Sequence, residues 1–179
     1  MIMIGSARID ERGKASGGAP GDQKQTKKPD TIGEVSMQPF YVHSKGWYVL
    51  RAKDDIVGHT IAISMKRACN NKNIGYSQSD RYSLLNVEGG TKTKKKCNCD
   101  CSSLIRQCVK EATGNDIGEC YTGNLADKLE KSGYFYQRID YNKSTPIFNG
   151  DILITKVKGH TAAVVSGGRV RLKKNKEEE

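Results

Sequence analysis

The sequence predicts an α+β fold, and two observations carry that prediction. Between Asp54 and Gly133 apolar residues recur at helical spacing in three separate stretches. From Tyr134 onward the pattern changes to short β-branched and aromatic runs punctuated by glycine. Helices followed by hairpin-like strands indicate a helical layer on an antiparallel sheet rather than alternating βαβ units.

Taken in order, MIMIGSARI (residues 1–9) reads as a strand. Residues 13–33, GKASGGAPGDQKQTKKPDTIG, form an insertion too polar and glycine-rich to supply a core, and read as a flexible loop. FYVHSKGWYVLRA (40–52) then suggests two strands around a turn at Ser44 to Gly46. Asp54 is placed to cap a helix whose inner face is Val57, Ile61, Met65 and Ala68, ending near residues 70–73. Residues 75–99 read as a loop. The strongest helix follows, with Asp100 as cap, Leu104, Ile105, Cys108, Val109 and Ala112 on one face, and Gly114 at its end. A shorter helix from Thr122 carries Leu125, Ala126 and Leu129 and closes at Gly133. The remaining strands are 134–139, 151–157, 160–165 and 169–173, the last two joined by a turn at Ser166 to Gly168. This gives residues 1–53 as N-terminal strands and loop belonging with the main domain, 54–172 as its core, and 173–179 as a charged tail.

Composition narrows the function classes. The 179 residues suffice for one good core, and no apolar run is long enough to span a bilayer. The N-terminus lacks a basic region followed by a sustained apolar stretch, so no signal peptide is expected, and action outside the cell would need release by other machinery. Lys and Arg total 30 against 20 Asp and Glu, a formal charge of +10, which favours a polyanionic partner. The basic residues cluster at 24–28, 92–96 and 169–176, without the interleaved aromatics of base-stacking modules, and read as solvated loops.

Four of the six cysteines lie between residues 97 and 108. Cys101 falls in the first turn of the strongest helix, where free N–H groups and the helix dipole favour a thiolate and can hold an oxyanion. Its pKa is therefore expected to be lowered. Cys108 lies seven residues on, on the apolar face, and reads as inert packing. His160 begins a strand after a glycine, a position from which an imidazole can project over a neighbouring helix terminus and act as a base. His43, beside a tight turn, and His59, on a polar helix face, are weaker candidates.

The motifs DCSS (100–103), GDIL (150–153) and GHTAAVV (159–165), in that order, resemble the NlpC-type cysteine peptidases and related CHAP amidases of bacterial cell walls. The resemblance covers residues 54–172. The segments GSARIDERGK, GDQ and EVSMQPFY are also similar to peptidoglycan hydrolases of clostridia and their phages. It implies a papain-like domain with a nucleophile-bearing helix packed on an antiparallel sheet. It further implies an amidase or endopeptidase that cuts a stem-peptide amide bond with Cys101 as nucleophile and His160 as base, without a metal or organic cofactor. A tyrosine upstream of the nucleophile points to Tyr76, and Ser102 to support of the helix start and substrate contact. Peptidoglycan is the implied partner, with anionic teichoic acid a further one, and a monomer is expected.

One feature of that family is missing. A polar side chain that orients the histidine is usual on the strand after it, but GGRVRLKK offers only basic and apolar groups. Asp22, Gln23 and Glu34, folded over the cleft, are candidates to orient His160 or bind the substrate's amine, with Asn175 a remote alternative. Two other readings compete. Cys97, Cys99 and Cys101, with Cys108 or His160, offer four zinc ligands, although their alternating spacing is unlike that of zinc stations. Charge alone suggests a nucleic-acid binder, without a supporting motif.

Overall fold

The computed structural model describes residues 1–23 and 33–171, and they form an α+β domain. Eight strands and four helices appear in the order β1 (Met3–Ala7), β2 (Val35–Pro39), β3 (Trp47–Leu50), α1 (Asp55–Asn70), β4 (Ile74–Tyr76), α2 (Ser83–Asn86), β5 (Cys97–Cys99), α3 (Cys101–Thr113), α4 (Leu125–Lys131), β6 (Ile139–Asp140), β7 (Ile152–Thr155) and β8 (Thr161–Ser166). Six strands make one antiparallel sheet in the order β2-β1-β8-β7-β3-β6. No helix among the described residues is long and apolar enough to cross a membrane.

The two long helices form where the sequence places them, because their ends are locally satisfied. Asp54 accepts the Ile56 N–H at 2.6 Å and starts α1. Asp100 and Ser103 exchange reciprocal bonds as a capping box at the start of α3, and Gly114 ends it with φ 75°. Both helices bury an apolar stripe on one face of the sheet. There Gly5 of β1 lets α1 approach, since a Cβ at that position would lie 2.7 Å from Met65 Cγ and 2.8 Å from Cys69 Sγ. Alternation along the strands then divides the core. Ala7, Ile152, Ile154 and Ala163 meet the helices, whereas Ile4, Trp47, Leu153, Ala162 and Val164 form a second apolar cluster on the opposite face.

Several expectations are corrected. The turn before Gly46 exists, its N–H bonding His43 O at 2.8 Å, but no hairpin surrounds it. The preceding strand is 35–39 and pairs with β1, while β3 pairs with β7 and β6. Of the strand expected at 169–173, the described residues 169–171 form none: both edges of β8 are already occupied by β1 and β7, and Arg169 makes only a single bridge to Phe148. The stretch 75–99 is not one loop, for β4 and β5 pair in parallel with Tyr76 opposite Cys99. Helix α4 begins at Leu125 rather than Thr122. Residues 13–23 are not free either. They run as a strap over β4 and β5, tied by Gly21 N–H to Cys97 O, Asp22 N–H to Lys72 O and Gln78 N–H to Ala15 O. Residues 24–32, the tail from 172, and with them Asn175 and the basic cluster at 24–28, lie outside the described residues.

Candidate active site

Strand β5 runs directly into α3, so that Asp100 caps the helix and Cys101 is its first residue. The cap is braced from outside. Arg81 Nε lies 3.1 Å from Asp100 Oδ2, and the same guanidinium donates to Ser102 Oγ at 3.2 Å and to Cys120 O. Ser102 Oγ in turn donates to Asp100 Oδ1 at 3.2 Å, so its role is at the helix start. Across the sheet, β8 begins where β1 has diverged from it, and the backbone N–H of Thr161 acts on the Cys101 sulfur. Tyr76, opposite Cys99 at the end of β4, brings its phenol close enough for the Cys101 charge to act on it, and its hydroxyl accepts from Gln78 Nε2 at 3.2 Å.

His160 immediately precedes Thr161, with its carbonyl held by the Thr155 N–H at 3.0 Å and its N–H by Thr155 Oγ1 at 3.0 Å. Thr155 thus anchors the His160 backbone at the start of β8. Its ring turns to the sheet face away from the helices, where Nε2 lies 3.3 Å from Ser6 Oγ and the Trp47 ring is 6.5 Å away between centroids. His43 stands behind Trp47, 5.2 Å from it, and accepts the Lys45 N–H on Nδ1. Among the described residues no hydrogen bond joins the Cys101 sulfur to the His160 ring. Ser6 is the polar partner of His160 that sequence reasoning missed. It lies on β1 rather than on a strand after the histidine, and only the β1–β8 pairing reveals it.

The electrostatics correct a second expectation. Burial pushes the Cys101 thiol up to about 12, and the neighbouring Asp100 carboxylate adds to this; the N–H groups of Thr161 and Ser102 and the Arg81 charge oppose it without prevailing. The helix dipole alone does not make a thiolate here. Burial, His43 and Arg8 lower His160 to about 4. Thiol and imidazole are thus both neutral at pH 7. Tyr76 is raised to about 12, chiefly by burial, and stays a hydrogen-bonding phenol.

Asp22, Gln23 and Glu34 gather around the strap. Asp22 accepts the Glu34 N–H at 3.1 Å and pairs with Lys72 at 2.8 Å, while Gln23 N–H donates to Glu34 Oε2 at 3.1 Å. They contact one another, Lys72 and the strap backbone, and Glu34 also meets the Glu11 side chain and accepts the Arg8 N–H on its carbonyl. His59 lines a separate cleft with Phe148 and Arg169. Cys99 donates to Gly75 O, Cys108 is packed in the core, and all six cysteines are free. Among the described residues no three Cys, His, Asp or Glu side chains converge as a metal site.

Comparison with protein families matches residues 4–171 to the endolysin-like domain. The chain belongs to the endolysin-like domain family. The match takes in β2, α3, β8 and nearly all of β1, so Ser6, Cys101 and His160 all lie within the endolysin-like domain. No curated protein and no solved structure matches the chain.

Proposed function

We propose that this endolysin-like domain is a peptidoglycan hydrolase that cuts an amide bond of the stem peptide, with Cys101 as nucleophile and His160 as general base, as in the NlpC and CHAP enzymes it resembles. One observation carries the reading. Strand β8, whose first residue Thr161 follows His160 directly, packs against α3, whose first residue is Cys101, and this supports pairing the two side chains.

The Ser6 hydroxyl occupies Nε2 in the resting chain, and the ring releases it to meet the thiol. The gap between about 12 and about 4 sets a free thiolate–imidazolium pair on the order of 10 kcal/mol above the neutral pair. A preformed ion pair is therefore not the resting state. The thiol proton leaves for the imidazole as sulfur bonds to the substrate carbonyl carbon; for this the ring gives up its Ser6 contact on the far sheet face and turns about its anchored backbone, past the open start of β8, toward α3. The tetrahedral oxyanion is held by N–H groups at the start of α3 and, from β4, by the Tyr76 hydroxyl. The imidazolium returns its proton to the leaving amine. The thioester is then hydrolysed by a water that His160 deprotonates, which restores thiol and imidazole. Asp22, Gln23, Glu34 and Ser102 act here by holding the strap and the helix start that frame the cleft. The basic surface attracts the anionic wall and its teichoic acids.

Mass spectrometry of fragments released from defined peptidoglycan tests the bond class. Muropeptides with a new peptide amine, or glycan strands stripped of stem peptides, are expected. Fragments cut only between sugars contradict the reading.

A further inference from the structure

We infer that Arg8 is a receptor for a carboxylate of the wall peptide and makes the site prefer stem peptides with free carboxylates over their amidated forms. The inference rests on the hydrolase reading and names the substrate feature that the site selects.

Strand β1 alternates, so Ile4, Ser6 and Arg8 point to one face, with Gly5 and Ala7 on the other toward the helices. Ser6 on that face touches the His160 ring. Two residues on, the Arg8 N–H bonds Glu34 O at 2.9 Å, which continues the β1–β2 ladder by one residue and pins the Arg8 backbone past the point where β1 leaves β8. The guanidinium charge acts on both the His160 ring and the Tyr41 phenol, in keeping with that position on the Ser6 side.

Arg8 is half-buried and, among the described residues, has no hydrogen-bond or ion-pair partner for its side chain. Seven other arginines each pair with a carboxylate, and Arg169, which does not, is exposed. A partly desolvated guanidinium without a counter-ion is unfavourable unless something supplies one. The Arg8 guanidinium disfavours a second positive charge on the His160 ring and favours an anion in its place. A guanidinium presents a planar fork that matches a carboxylate in two parallel bonds, which an amide cannot reproduce. Stem peptides carry such carboxylates close to the amide bonds that a wall hydrolase cuts.

The test uses the full chain with Cys101→Ala, which binds without cleaving, titrated calorimetrically with a synthetic muramyl tripeptide and with the same compound fully amidated. The acid form is expected to bind about tenfold or more tightly than the amide. Adding Arg8→Ala abolishes the difference, and Arg8→Lys keeps part of it. A matching thermal midpoint shows that the Arg8→Ala chain is folded. An acid-form preference that survives Arg8→Ala, or no preference in the Arg8-containing chain, overturns the inference. Wild-type protein assayed on walls in parallel reports the hydrolase reading separately, because these titrations need no turnover.

Discussion

A hydroxyl 3.3 Å from Nε2 holds the His160 imidazole on its face of the sheet, and that hydroxyl belongs to a side chain only 2% exposed. Replacing Ser6 by alanine removes one hydrogen bond and almost no volume, so the fold is retained and the ring loses its tether. Because the ring leaves Ser6 to meet the thiol, Ser6→Ala raises kcat by up to about tenfold, the worth of one hydrogen bond, with KM nearly unchanged. Steady-state kinetics on a soluble muropeptide checks this, and an unaltered kcat would assign Ser6 to packing alone. The same scale explains why Cys101 and Cys108 differ although both thiols are raised. Cys101 is half-buried at a helix N-terminus with N–H groups turned toward its sulfur, whereas Cys108 is sealed in the core seven residues on. The dipole argument read from the sequence expected a lowered thiol and left out desolvation, which depends on what packs over the sulfur.

At the scale of elements, the strap of residues 10–23 closes one side of the domain with a cluster of carboxyls. Glu34, wholly buried, is pushed up to about 8 by burial, and the neighbouring Glu11 and Asp22 raise it further against the Gln23 N–H. Between about pH 4.5 and 8 the folded chain therefore keeps a proton that the unfolded chain has lost, so this group makes stability fall as pH rises. His160, lowered to about 4, has the opposite sign between pH 4 and 6.5, because there the unfolded chain binds the extra proton. The two slopes offset each other up to pH 6.5. Above it the Glu34 term stands alone, at roughly 1.4 kcal/mol per pH unit. Urea unfolding should show stability falling by about 2 kcal/mol from pH 6.5 to 8 in the wild type, and a much flatter profile in Glu34→Gln. Equal slopes would show that Glu34 titrates normally. The helices α1 and α3 were legible because their apolar period and caps are local. The pair β4 and β5 was not, since three residues each are too few for a period and the pairing is set by the strap and by Ser83 and Asn98.

Across the whole molecule, the sheet joins the two ends of the chain, and the site depends on that closure. Strand β8 lies between β7, its neighbour in sequence, and β1, which begins at Met3. Local pattern announced β7 and β8 and the motifs that bear Cys101 and His160. It had no means of stating that the first strand would lie against the last, so Ser6 and Arg8 were invisible and the orienting group was sought after His160. The two apolar clusters, one on each sheet face, likewise follow from pairing rather than from composition. The central claim is that the Cys101 sulfur forms the bond to the wall peptide, and the rate of turbidity loss of a cell-wall suspension tests it most directly with wild type, Cys101→Ala and Cys69→Ala side by side. The account predicts that Cys101→Ala loses about a thousandfold or more of the lytic rate while Cys69→Ala, whose thiol packs against Gly5 away from the cleft, keeps most of it. Lysis by Cys101→Ala at the wild-type rate would contradict it.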